Sequence, residues 1–355
     1  MSKNISMNEI AKIFNVSKVT VSKALNDKPG VSDKLKEEIK EKAAELGYRM
    51  NTAAKSLKTN KSYNVGVLIA ERYIGELETY YFGVYGKLTT KFSNLGYSTI
   101  METLSYDNEI NLKLPQMYLE LKVDAIIVLG QLDANYLKLF EDFSIPIVYF
   151  DFYASNSIID SVVVDNFYSG LEITQYLIDR GHREIGFIGN LYSTSSIQDR
   201  FLGYYRCLLE NKLAINYDYI VSDRDDAGNF IDLALPSKLP TAFVCNCDQV
   251  AYRLIKELQQ KNVRVPEDIS VVSFDNTIYS TVSEPQITTL DNNVDEMVNV
   301  VTKIILKKIE NPTRKYDRIL VKAFVVERNS VKEINNDWKI NRNQNWKKLS
   351  NWFRI

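Results

Sequence analysis

The sequence predicts an α/β protein built as a three-helix helix-turn-helix head followed by a two-lobed body with parallel sheets. Three observations predict it. Over the first fifty positions apolar residues recur at helical spacing between capping residues. From Val65 the pattern changes to short, nearly continuous β-branched runs alternating with amphipathic stretches, the signature of buried strands with crossover helices. Those runs number about ten, more than one small doubly wound sheet carries, so they are expected to divide between two lobes.

In the head, Ser6 and Glu9 have capping-box spacing, and Ile10, Ile13 and Phe14 then fall on one helical face. A break follows at Asn15-Val16. Ser17 caps a second helix whose Val21, Ala24 and Leu25 face inward, which leaves Lys18, Val19, Ser22 and Lys23 pointing outward. A third helix runs from Asp33 to Leu46 after Ser32, with Leu35, Ile39, Ala43 and Leu46 inside and Gly47 ending it. The outer face of the second helix suits a DNA major groove. Charge supports that use: residues 1–62 hold 13 Lys or Arg against 7 Asp or Glu, and residues 63–355 hold 31 against 38. A basic module on an acidic body fits a phosphate backbone. Residues 1–48 are therefore read as the DNA-binding head. Residues 49–62, polar and basic, are either a linker or a segment helical only when held, because so little apolar surface does not sustain a helix alone. Leu57 is its one large hydrophobe without a core to enter.

Across the body, residues 63–330, the expected strands are Val65 to Ala70, Tyr97 to Met101, Ala125 to Leu129, Ile147 to Phe150, Val162 to Val164, Ile185 to Ile188, Tyr219 to Val221, Ala242 to Cys245, Ile269 to Phe274 and Ile319 to Val326. Helices are expected over Tyr80 to Leu95, closed by Gly96, over Gly170 to Asp179, closed by Gly181, and over Asp248 to Gln260. In such lobes ligands bind beyond the carboxyl ends of the strands.

Several classes are excluded. No apolar run approaches 18 residues and the first residues lack a secretory segment, so a cytosolic location is expected. Three cysteines, Cys207, Cys245 and Cys247, do not make a disulfide framework, and with a single histidine, His182, they do not make a zinc site. Cys245 and Cys247 read as one face of a buried strand, and His182 as a solvated or capping residue. No dinucleotide fingerprint, Walker loop, nucleophile elbow or His-Glu-x-x-His helix is present. No cofactor is expected, nor an enzyme.

The helix-turn-helix, the basic Ala54-Lys55-Ser56-Leu57 segment, and the body's Ile145-Pro146-Ile147-Val148-Tyr149-Phe150-Asp151, Asp179 to Gly189 and Val265-Pro266-Glu267-Asp268-Ile269-Ser270-Val271-Val272-Ser273-Phe274-Asp275 together resemble the lactose- and galactose-repressor (LacI/GalR) family over residues 5 to 328. The resemblance implies a periplasmic-binding-protein-like body, a homodimer on a near-palindromic operator, and a small-molecule effector between the lobes. It places base reading on Lys18, Val19 and Lys23, with Thr20 and Ser22 at phosphate or neighbouring base contacts. Lysine donates to guanine, and Val19 presses on a thymine methyl. It makes Leu57 a minor-groove wedge, with Lys55 and Lys58 holding backbone nearby. For the effector it points to Tyr80, Tyr81, Gln131, Asp151, Thr194, Ser196, Arg200 and Asp275. Such a set suits a sugar, although it also holds a purine.

Three departures from the family pattern stand out. Cys247-Asp248 occupies the place of an Asn-Asp pair, so a thiol replaces an amide at an effector position, and Asn246 next to it points the other way on an extended chain. Asp275-Asn276 replaces a double Asp. Residues 226 to 240 are short for a helix. The tail from 331 to 355 lies outside the resemblance and holds Trp338, Trp346 and Trp352 with 6 Lys or Arg against 2 Asp or Glu. It either docks on the body or a partner, or is a frayed extension. A solute-binding protein or an enzyme on the same body is the rival reading.

Overall fold

A computed structural model of the chain describes residues 5–48, 56, 59–75, 80–155, 157–225 and 228–334. The chain divides into two compact units, Met1–Ser62 and Tyr63–Ile355.

The first unit holds α1 (Met7–Ile13), α2 (Lys18–Leu25) and α3 (Asp33–Glu45). Ser6 and Glu9 form both halves of the capping box, and the hydroxyls of Ser17 and Ser32 accept from Thr20 N and Leu35 N. Asn15 makes the turn with φ +51°, a left-handed conformation that asparagine tolerates better than most residues. Ile10, Ala11, Val21, Ala24, Ile39 and Ala43 form the buried centre, with Phe14, Val16, Leu25, Leu35 and Leu46 packed around it. Ile13 does not join them. It is 52% exposed, because its position three residues after Ile10 carries it past the edge of so small a core.

Among the described residues the second unit contains twelve strands: β1 (Asn64–Ala70), β2 (Ser98–Leu104), β3 (Ala125–Leu129), β4 (Ile147–Phe150), β5 (Asp160–Val164), β6 (Ile185–Ile188), β7 (Ile220–Val221), β8 (Ala242–Cys245), β9 (Ser270–Phe274), β10 (Thr288–Asp291), β11 (Arg318–Val321) and β12 (Phe324–Val326). Its helices are α4 (Tyr80–Ser93), α5 (Tyr106–Ile110), α6 (Gln116–Leu119), α7 (Ala134–Leu139), α8 (Asn166–Asp179), α9 (Ser195–Glu210), α10 (Asp248–Gln260), α11 (Ile278–Val282) and α12 (Val294–Glu310).

These strands form two six-stranded sheets, β11-β5-β4-β3-β1-β2 and β12-β10-β9-β8-β6-β7. All pairings are parallel except β10 with β12. Each sheet is buried on both faces. In β1, Val65, Val67 and Ile69 enter one apolar cluster while Leu68 and Ala70 enter another on the opposite face, as the period of two requires. The chain crosses between lobes three times: from β5 into α8, from β10 into α12, and from β11 into β12.

Two expectations about strands are corrected here. The run from Ile319 to Val326 is two strands in different sheets, split at Lys322-Ala323 where the chain crosses between lobes. β10 was not expected, because Thr288-Thr289-Leu290-Asp291 is short and polar. Its buried hydroxyls are satisfied instead: Arg328 N donates to Thr288 Oγ1 at 2.9 Å and Thr289 Oγ1 donates to Asp248 Oδ1 at 2.6 Å.

His182 is also not solvated. It is fully buried beneath the second lobe, with Nε2 3.2 Å from the Lys332 carbonyl and Nδ1 3.0 Å from Thr241 Oγ1. Burial lowers its pKa to about 4, so the imidazole is neutral. Residues 331–334 run beside the same lobe, with Ile334 N donating to Arg180 O at 2.8 Å. The tryptophans at 338, 346 and 352 lie outside the described residues.

Helices α8 and α9 touch through glycine. A Cβ on Gly170 would sit 2.1 Å from Arg200 O, and one on Gly203 2.0 Å from Phe167 O. No side chain fits there, so the two backbones meet directly and place Arg200 against α8.

Candidate functional site

A cavity of 330 Å³ opens between the lobes at the carboxyl ends of both sheets. Its wall is assembled from the residues that follow successive strands, where chain leaving a parallel sheet is free to carry ligand groups. Tyr80, Tyr81, Gln131 and Asp151 line it from the first lobe, and Thr194, Ser196, Arg200, Cys247 and Asp275 from the second. The fold thus brings together all nine residues singled out for an effector.

Arg200 is the hub of the second-lobe wall. Only 4% exposed, it donates from Nε to Asn166 Oδ1 at 2.8 Å, from Nη1 to Asn246 O, and from Nη2 to Asp275 Oδ1 at 3.0 Å. Asn292 Nδ2 donates to the same Asp275 oxygen at 2.9 Å. The guanidinium also lies 4.5 Å from the Phe274 ring. Three of its five N–H groups are thus spent on fixing its plane, which leaves an edge for ligand.

The first-lobe wall is different. Tyr81 OH donates to Asp151 Oδ2 at 3.0 Å, and Asp151 Oδ1 is buried without a partner among the described residues. Burial pushes the Asp151 carboxyl up to about 7; Arg200 opposes the rise and Asp275 adds to it. Asp151 (φ +70°) and Asp275 (φ +99°) both sit in the left-handed region at the end of their strands, a strained conformation of the kind that clusters at ligand sites. Tyr73, Tyr81 and Tyr80 form an edge-to-face series along this wall.

Some of the nine positions carry structural duties. Thr194 Oγ1 accepts from Ile197 N at 3.2 Å and so caps α9, with Ser196 Oγ 3.0 Å away. Gln131 Oε1 accepts from Ser195 N at 2.8 Å and joins the lobes. Cys247 makes no side-chain cap to α10, and burial pushes its thiol up to about 12, so it faces the cavity as a neutral group. Asp248 is saturated by Ser273 Oγ, Thr289 Oγ1, Thr277 N and Thr277 Oγ1. Asn246 is buried with its amide donating to Ile188 O and Asp223 Oδ2. No helix is found over residues 228–240.

Sequence reasoning missed Arg72 and Arg224, which also line the cavity. Arg72 pairs with buried Glu109 through both nitrogens, at 2.6 and 3.1 Å, and donates to Gln131 O at 2.7 Å. Arg224 pairs with Asp223, 2.9 Å from Nε and 2.8 Å from Nη2, and lies 4.9 Å from the Phe230 ring. Neither sits in a motif.

In the head, α2 presents Lys18 and Val19 to solvent, Val19 being 63% exposed, while Thr20, Ser22 and Lys23 are half-buried. Lys36, Lys40 and Lys42 are neutralised by Asp33, Asp27 and Glu45, whereas Lys18 and Lys23 have no ion pair among the described residues. Lys12, Lys28 and Lys34 are unpaired in the same sense, so α2 carries two of the head's uncompensated cations. Lys55, Leu57 and Lys58 lie outside the described residues.

Residues 6–51 match the family model of bacterial regulatory proteins, lacI family, and residues 174–331 that of a periplasmic binding protein-like domain. Among full-length relatives, the chain is 28% identical over 340 residues to the probable HTH-type transcriptional repressor ExuR of Bacillus subtilis (strain 168), covering 93% of this chain and 99% of that protein. It is 27% identical over 331 residues to the ribose operon repressor of Haemophilus influenzae, covering 92% and 98%. The lac repressor dimer bound to operator and the anti-inducer ONPF superposes with a TM-score of 0.70 at 20% identity, covering 93% of this chain and all of that one. The transcriptional regulator CelR–cellobiose complex does so at 0.65 and 20%, covering 92% and 100%. The chain thus joins a lacI-family helix-turn-helix domain to a periplasmic-binding-protein-like domain, and along nearly its whole length it is similar to transcriptional repressors that share this organisation.

Proposed function

We propose that this regulator is a repressor that binds a near-palindromic operator as a homodimer and is controlled by a polyhydroxylated small molecule, a sugar or sugar derivative, in the cleft between its lobes. The observation that carries the reading is the pairing of an immobilised guanidinium, Arg200, with a buried, unpartnered carboxylate oxygen on Asp151 across one cavity. A fixed donor edge facing a free acceptor is what vicinal hydroxyls bridge. The head, residues 1–48, reads bases through Lys18, Val19 and Lys23, with Thr20 and Ser22 beside the backbone. The segment 49–62 supplies Lys55 and Lys58 to phosphates and Leu57 to the minor groove. Ligand control requires only that the effector bind one arrangement of the lobes better than the other.

The test is selection of bound duplexes from fragmented genomic DNA by the full chain, followed by titration on the recovered site at several salt concentrations. Binding should weaken steeply with salt, and Lys23→Ala should relax preference at one base pair per half-site by about 1–3 kcal/mol. Lys18→Ala is expected to act likewise at a neighbouring pair. Recovery of sites without dyad symmetry, or equal affinity after removal of residues 1–62, would reject the reading.

A further inference from the structure

The cleft is bipolar. One part of its wall carries the carboxylates Asp151 and Asp275, the latter paired with Arg200 and backed by Asn292, whose Oδ1 is buried and unpartnered among the described residues. Another part carries two guanidiniums, one from each lobe. Arg72 and Arg224 both line the cavity, whereas their carboxylate partners do not: Asp223 is fully buried, and Glu109, 2% exposed, borders only the adjoining pocket that the two arginines also line. Tyr73 lines the cavity with them, its ring 5.1 Å from the Arg72 guanidinium and its hydroxyl donating to Gln131 O at 3.0 Å.

Both guanidiniums are held rigidly and incompletely. Arg224 spends Nε and Nη2 on Asp223, shares Nη2 with Asn246 Oδ1 at 3.3 Å and rests on Phe230, leaving Nη1 without a protein partner among the described residues. Arg72 spends both terminal nitrogens on Glu109 and Gln131 and keeps Nε free in the same sense. Two immobilised cations lining one cavity from different lobes, each with an N–H group unspent among the described residues, favour an anion in front of them. Neutral hydroxyls need neither charge. We infer that the effector is an acidic polyol, a sugar skeleton bearing one carboxylate or phosphate, seated with its anionic group between Arg72 and Arg224 and its hydroxyls toward Asp151 and Arg200. The inference rests on the cleft being the effector site and sharpens the ligand's class. Because the anion bridges the two lobes, it also favours their closed arrangement.

Thermal shift and calorimetry on the full chain with glucuronate, glucose 6-phosphate and glucose test it. At least one acid should bind at least about tenfold more tightly than glucose, the scale of one charge-assisted hydrogen bond. Preference for glucuronate alone identifies a carboxylate, and preference for the phosphate ester a phosphate. Arg224→Met should erase the preference; if that variant fails to fold with Asp223 unpaired, Arg224→Met combined with Asp223→Asn removes both charges together. The inference is overturned if glucose binds as tightly as both acids, if neither acid binds, or if the preference survives in the Arg224 variants. Arg200→Met separates this from the cleft reading. Binding of glucose that is lost with Arg200 keeps the cleft and discards the anion, whereas binding of any probe that is indifferent to Arg200→Met discards the cleft.

Discussion

The two lobes of the body have one strand order, each β-strand of the first having its counterpart in the second, yet they furnish opposite kinds of wall. The second lobe's wall is already wired. Arg200 holds three partners and Asp248 accepts from four donors before any ligand arrives. The first lobe's wall is left open at Asp151, whose buried outer oxygen has nothing to accept from among the described residues. A ligand therefore meets a preformed donor surface on one side and an unmet demand on the other. A ligand that donates to Asp151 would supply the hydrogen bond that the first lobe lacks without rearranging the second.

The strongest way to break the contrast is to unwire the second lobe. Arg200→Met leaves Asp275 without its cation and should cost about 3–5 kcal/mol of body stability, in the manner of a broken buried pair, and reduce effector affinity at least a hundredfold. Denaturant unfolding and ligand titration measure both. Affinity within threefold of the parent would show that the wired wall does not hold ligand.

The open wall is tested by pH. Because the folded-state pKa of Asp151, about 7, lies above the ordinary carboxylate value, the native chain binds that proton more tightly than the unfolded chain. Its contribution is full below about pH 4 and declines as pH rises toward 7, by at most ~4 kcal/mol. His182 has the opposite sign. Its lowered pKa, about 4, makes stability rise with pH from 4 toward 6.5. Asp248, also raised to about 7 by burial, declines with the same sign, so Asp151→Asn should remove one of two declining components and leave a steeper gain between pH 4 and 6.5, read from denaturant midpoints across that range. An unchanged pH profile would remove Asp151 from the account.

The smallest effect expected is at the glycine contact. Gly203→Ala inserts a methyl group where 2.0 Å is available and should cost about 1–3 kcal/mol, with a weaker ligand response because Arg200 is carried on the displaced helix. Circular dichroism melts and the Arg200-dependent titration check it. Full ligand affinity in a destabilised variant would uncouple the helix contact from the site.

Much of this was legible in the sequence because it depends on local rules. Capping serines, the Asn15 turn and the parallel strands announce themselves through spacing, and residues after strand ends are natural lining for a cleft. Arg72 and Arg224 were not legible. Arg72 lies in a single 3-10 turn, Glu71–Tyr73, and Arg224 in an irregular segment, and the meaning of each comes from its carboxylate partner: 37 residues away in the Arg72 pair, and adjacent but turned into the core in the Arg224 pair. β10 hid for a related reason: buried threonines look like loop residues until Asp248 and Arg328 are seen to satisfy them. The crossing at Lys322-Ala323 hid inside a continuous β-branched run, since no local pattern marks the point where a strand leaves one sheet for the other. Ile13 was misplaced because helical periodicity sets a direction and is silent on how far so small a core extends.

The meeting of Gly170 and Gly203 also sets a mechanical tolerance. Where side chains separate two helices, a rotamer change absorbs a fraction of an ångström; where backbone touches backbone no such cushion exists. The Arg200 wall therefore behaves as a fixed jaw. A molecule one methyl group too broad gains nothing by pushing on it, and all adjustment falls to the opposite jaw, through the three crossing strands. Selectivity on that side is a matter of gauge, decided by how closely a candidate's outline matches a surface that does not give.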